Sequence, residues 1–167
     1  MGLFLSETRP TILPADMKKS KDKAKAKELE AENAEVVEVV EIKEEDLNID
    51  SRTLWLKAQS ALEMGHHAYA IKLCHAVLQE NPGFIDARKL ARSCALAANA
   101  GKKVKKGFFG GGGLALMKVA SLGKKDPVAG MMAVEKELAK SPFDDQANDI
   151  LYDCAMRLNM LNTAAYA

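Results

Sequence analysis

Residues 101–125, GKKVKKGFFGGGGLALMKVASLGKK, hold seven lysines, no acid, two adjacent phenylalanines and four consecutive glycines. Lysines beside a glycine run are the ingredients of a phosphate cradle, in which backbone amides and an ammonium grip an anion. The nucleotide loop GxxxxGK[ST] needs a glycine five residues before its Gly-Lys pair and a hydroxyl after it. Ahead of Gly123-Lys124 that place holds Lys118, and Lys125 stands where the hydroxyl belongs, so no nucleotide loop is encoded. A weaker capacity remains if Leu114 opens a helix, because the first amides of a helix favour negative charge.

The same segment supports two further chemistries. Lys102, Lys103, Lys105, Lys106, Phe108 and Phe109, with Leu114, Leu116 and Met117, suit contact with a polyanion or an anionic membrane, where each basic residue near the surface contributes about 1 kcal/mol. Lysines on phosphates with phenylalanines stacked on bases would suit nucleic acid, which the acidic stretch elsewhere and the lack of arginine here disfavour. The simplest reading is structural: a glycine turn lets Leu114 to Leu122 fold back as a short helix, with Phe108 and Phe109 buried as plugs and the lysines solvated.

Nothing else in the chain carries a catalytic signature. His66, His67 and His75 lack the HExxH or paired His/Cys spacing of a metal site and are read as surface residues. Cys74, Cys94 and Cys154 recur where small buried residues belong, with no His and carboxylate arranged around them, so they are read as core atoms. Met131, Met132, Met156 and Met160 are read chiefly as core. The expectation is a protein that is not an enzyme and uses no metal or cofactor.

The whole-chain numbers agree. With 167 residues, of which 48% are hydrophobic and 28% charged, the chain can bury one core and carry a tail. A net charge of +1 removes any whole-molecule attraction to polyanions. An odd number of cysteines, the absence of a secretory leader pattern and the lack of a long apolar run point to a cytoplasmic protein. MGLFLS fits the short pattern for acylation of Gly2, although a frayed terminus explains it as well.

The elements that must position these residues begin at about residue 50. Before it, KKSKDKAKAK and ELEAENAEVVEVVEIKEED abut a basic block and an acidic one, so residues 1–49 are expected to be a charged, largely disordered arm. Its VVEVVEI could become a turn of helix or a short strand where a partner offers a surface. From 50 onward, Asp50 or Ser51 is expected to cap a helix carrying Leu54, Trp55, Ala58, Ala61 and Leu62, which Gly65 stops. Tyr69, Ala70, Leu73, Cys74, Val77 and Leu78 mark a second helix, ended by Asn81-Pro82.

The chain then repeats itself. Pro82 and Pro142, Leu78 and Leu138, and Asn99 and Asn159 are each 60 residues apart (142 − 82). A further echo pairs MGHHAYA at 64–70 with LNTAAYA at 161–167. It implies that the sequence breaks off as another second helix begins. The helix from Gln146 to Met160 should then lack cover on one side, and either the chain is part of a longer one or this end pairs with another molecule.

Leu54, Ala58, Ala61, Gly65, Ala70, Cys74, Val77, Leu78 and Pro82 resemble one unit of the tetratricopeptide repeat (TPR) family, whose period is about 34 residues. Lys57, Cys74 and Trp55 depart from the family pattern. The resemblance implies an all-α solenoid fragment of helical hairpins over 50–167, and a protein-binding scaffold with a partner peptide or neighbouring repeats on the concave face. Trp55, Gln59, Arg88, Arg92 and Asn148 are the partner-binding candidates, and self-association through the C-terminal helix is a further expectation. On a 34-residue period, the 60-residue offset makes 101–125 an insertion of about 26 residues within the second unit. The unit should resume at Asp126-Pro127, with the aspartate as N-cap.

Overall fold

The structure, a computed structural model, describes residues 39–100 and 112–167. Most of the charged arm, the Gly2 pattern, and Lys102, Lys103, Lys105, Lys106, Phe108 and Phe109 lie outside the described residues. The fold is all-α. A single 3-10 turn, Glu44–Asp46, precedes α1 (Ile49–Glu63), α2 (His67–Glu80), α3 (Ile85–Asn99), α4 (Gly112–Lys125), α5 (Pro127–Leu138), α6 (Asp145–Arg157) and α7 (Leu161–Tyr166). Among the described residues, β pairing is limited to an isolated parallel bridge between Ile42 and Phe84.

Local chemistry sets the boundaries. Asn48, rather than Asp50 or Ser51, caps α1: its Oδ1 accepts from the Ser51 amide at 2.7 Å. That places Ser51 inside the helix, where its buried hydroxyl donates to Glu80 Oε2 at 2.7 Å and accepts from Asn81 Nδ2 at 2.8 Å. Gly65, at φ +74°, supplies the left-handed turn into α2. Asp126 caps α5 through the Ala129 amide, with Pro127 at the first helical position. Asp144 caps α6 in the same way through Ala147.

Packing gives the described part of the expected insertion, residues 112–125, a place within the repeat; residues 101–111 lie outside the described residues. α1, α2 and α3 pack in sequence, and so do α4, α5 and α6, with α4 also against α6. Buried positions of the second triplet repeat those of the first 60 residues on: Ala70 and Gly130, Cys74 and Val134, Leu78 and Leu138, Ala87 and Ala147, Cys94 and Cys154, Ala95 and Ala155. The repeating unit is therefore three helices long. α4 is its first helix, not an excursion, and α5 rests on α4 where the 34-residue reading would have paired it with α3. Lysines and glycines disguised α4 because only one face of a helix, here Leu116, Val119 and Gly123, has to be apolar or small.

Each triplet has its own core. In the first, Trp55 meets Phe84 edge-on at 5.0 Å between ring centroids, among alanines at 58, 61, 70, 87 and 91. In the second, Met131, Val134, Leu138, Leu151 and Met160 fill the centre. There α4 and α5 cross at two glycines. A Cβ on Gly123 would stand 2.6 Å from Cys154 Sγ, and one on Gly130 would run into the Gly123 backbone.

The stretch 39–47, expected to belong to the arm, is a strap across both triplets. Ile42 donates its amide to Gly83 O at 3.2 Å and packs on the first core with Leu47, whereas Val39 packs on the second. The strap passes so close to Gly83 that a Cβ there would overlap the Val40 carbonyl. Glu41 then reaches α7. Its carboxylate accepts from the Thr163 amide at 2.7 Å and hydroxyl at 3.0 Å, and from the Asn162 amide at 3.1 Å and side chain at 2.7 Å. For the described part of VVEVVEI, residues 39–42, the surface is supplied by the chain itself.

The apolar face of α6 is also better covered than expected. α4, α5 and α7 all pack on it, and Met160, Thr163 and Ala164 are buried. The echo of 64–70 in 161–167 is the short helix α7.

Candidate partner-binding surface

The residues expected to line an open concave face lie instead mainly in the seam between triplets. Trp55 is 4% exposed, held by Phe84, and Gln59 is half-buried. Arg88 on α3 donates Nε to Glu135 Oε1 on α5 at 2.9 Å, with side-chain exposures of 1% and 4%. Arg92 Nη1 donates to Pro142 O at 2.9 Å and to Asn148 Oδ1 at 3.0 Å, and the guanidinium lies over the Tyr166 ring. These side chains join α3 to α5, α6 and α7. The second triplet closes over the face that the residue pattern had left open.

The seam is electrostatically strained. Burial pushes the Glu135 carboxyl above the usual range against the pull of Arg88 and Arg92, and burial pulls Arg88 down against Glu135. A guanidinium keeps its proton, so Arg88 is a buried cation whose Nη1 and Nη2 have no partner. Removing an ion from water costs several kcal/mol, and one 2.9 Å bond offsets only part of that. The space bounded by His75, Ala91, Arg92, Glu135 and Leu138 leaves no room for a ligand. His75, half-buried with Nε2 unpartnered, is lowered by burial and by Lys136.

No group of residues that could hold a metal occurs among the described residues. The three cysteines are free and buried, and burial pushes the Cys74 thiol up to about 12. A thiol in that state is a poor nucleophile. An open hollow of about 410 Å³ beside Gly65, His66, His67, Tyr69 and Ala98 has mostly apolar walls and opens widely to solvent, which suits it poorly to gripping a small molecule.

Large apolar side chains stand exposed on the first triplet, as at Ile49, Leu56 and Tyr69, and on the outer side of the second, where they lie beside charge of mainly one sign on each helix. α4 turns Leu116 and Gly123 inward, leaving Leu114, Met117, Lys118, Ser121, Leu122, Lys124 and Lys125 exposed. Leu114 and Met117 are 65% and 70% exposed. Leu116, one of the residues suited to a membrane contact, is in the core. α6 runs alongside: Arg157 Nη1 donates to the last-turn carbonyls of α4, at 2.8 Å to Lys124 O and 3.4 Å to Gly123 O. Its exposed residues are Asp145, Gln146, Asp149, Tyr152, Asp153, Met156 and Arg157.

Comparison with family models, with curated proteins and with solved structures gives no match. The surface therefore has to be read from its own chemistry. Sequence reasoning missed Glu41, Tyr152, Asp149 and Asp153. The stripe on α4 carried one usable signal, the recurrence of Leu54 and Leu62 at Leu114 and Leu122.

Proposed function

We propose that the chain is a non-enzymatic scaffold built from helical repeats, TPR-like in its hairpins, that binds a protein in the cytoplasm. The partner is met on the outer face of α4 and α6 and not on the closed seam. The observation that carries this reading is the pair Leu114 and Met117, which stand in water on a helix whose opposite face is firmly packed. Apolar side chains grouped in this way mark interaction surfaces more often than isolated ones do.

A photo-crosslinking residue at position 117 of the full chain tests it. The expected result is a discrete protein adduct that disappears when Leu114→Asp is added. No adduct, or one indifferent to that substitution, removes the reading.

Lys118, Lys124 and Lys125 on the same helix favour a second reading, attachment to an anionic membrane or another polyanion, extended by Lys102, Lys103, Lys105, Lys106, Phe108 and Phe109. Asp145, Asp149 and Asp153 on the neighbouring helix oppose it. No described helix is long and apolar enough to cross a membrane. Co-sedimentation with anionic vesicles that is lost when the four lysines at 102–106 become glutamine would favour attachment, whereas no binding at low salt would exclude it.

A further inference from the structure

The outer face of the second triplet has a property that neither an acidic peptide nor a lipid surface would match: its two helices carry opposite charge. All charged residues of α4 are lysines, and those of α6 are three aspartates and the terminal Arg157. Both helices expose apolar side chains, Leu114, Met117 and Leu122 on one and Tyr152 and Met156 on the other. None of Lys118, Lys124, Lys125, Asp149 or Asp153 forms an ion pair with a described residue. Among the described residues, these charges stand unpaired on the surface.

Their levels also agree. Gly123 of α4 lies against Cys154 of α6, and Arg157 joins the C-terminal ends of the two helices, so they run parallel and side by side. Lys118 precedes Gly123 by the same five residues as Asp149 precedes Cys154 (123 − 118 and 154 − 149). Lysine and aspartate thus stand at one height on adjacent helices. A two-fold axis parallel to the helices and midway between them would lay α4 of one molecule on α6 of another, at the same height and twice over.

We propose that this face pairs with a second copy of the chain, forming a symmetric dimer. Lys118 and Lys125 of each copy meet Asp149 and Asp153 of the other, while Leu114, Met117 and Leu122 cover Tyr152 and Met156. The proposal rests on the protein-binding reading and names the partner. Self-complementarity of this kind is what an isologous interface requires, and opposed charge patterns fix its register.

Charge exchange tests it in the full-length chain by sedimentation equilibrium, with circular dichroism as a check on folding. Wild type should be dimeric. The pair Lys118→Glu with Lys125→Glu, and separately Asp149→Lys with Asp153→Lys, should each be folded and monomeric, with at least about a tenfold weaker Kd. Mixing the two variants should restore a dimer, because each then offers what the other lacks. A folded wild type that stays monomeric, or a dimer indifferent to both exchanges, overturns the proposal. A monomer that still crosslinks to a different protein through position 117 overturns it while leaving the broader reading intact. The absence of both removes the two together.

Discussion

The two triplets share a plan and differ in how they pack their cores and where they place their charges. The first seals itself with large rings and alanines, Trp55 against Phe84 among Ala58, Ala61 and Ala70, and mixes acids and bases on its helices. The second brings α4 and α5 together at Gly123 and Gly130, fills its centre with methionine and leucine, and keeps the lysines of α4 apart from the aspartates of α6, although α5 mixes Glu135, Lys136 and Glu137. A three-helix unit, once duplicated, can thus keep its buried positions while its exposed ones diverge. Mixed charge suits a solvated surface, and segregated charge beside exposed Leu114 and Met117 suits a contact.

The seam between the triplets should yield the largest effect. Glu135→Ala strands Arg88 in the interior and is expected to destabilise by about 3–5 kcal/mol in denaturant unfolding. Arg88→Met with Glu135→Leu should recover most of that loss, because it removes both ions together. If the single change cost under about 1 kcal/mol, the pair would be reached by water and the seam would not bind the halves in this way.

The crossings themselves come next. Gly130→Ala places a Cβ against the Gly123 backbone, which no rotamer change relieves, and should cost about 1–3 kcal/mol despite the better helix propensity of alanine. The equivalent exchange in the first triplet runs the other way: Ala70→Gly should cost about 1 kcal/mol through chain entropy and lost contact. Equal tolerance of alanine at 70 and 130 in thermal unfolding would show that both crossings have the same spacing, against the comparison.

The smallest effect belongs to the strap. Although burial alone would raise it, Glu41 is held below its ordinary value of 4.5 by hydrogen bonds from Thr163 and Asn162. A carboxyl with a depressed folded pKa contributes stability that is complete above the unfolded value and lost as pH falls through the folded one. Glu41→Gln should therefore lower stability by about 0.5–1 kcal/mol at neutral pH. The wild-type and variant curves should converge below about pH 4. Parallel curves down to pH 2 would mean that the carboxylate does not hold α7.

Most helix boundaries were legible because their causes are local. Gly65, Asn81-Pro82 and Asp126-Pro127 act within a turn of themselves, and the 60-residue echo needs only the string of letters. The cap at Asn48 was misread by two or three residues, since Asp50 and Ser51 are equally good capping types and only the bond to the Ser51 amide decides. The partner-binding candidates were harder. Arg88 and Arg92 lie on a helix whose period predicts a face but not what covers it, and α5, α6 and α7 cover it.

The chain by itself determined that the described residues beyond the arm are mostly helical, where most helices stop, and which positions must be small or apolar. Propensity, capping and amphipathic period operate over a few residues, and they are written in order along the sequence. Tertiary structure alone decided that α4 opens a second triplet, that Glu41 reaches Thr163 and that Arg88 is buried against Glu135. Those outcomes depend on contacts between residues 47 to 122 positions apart. Their free energy appears only when two distant surfaces meet, and no local pattern specifies which surfaces those will be.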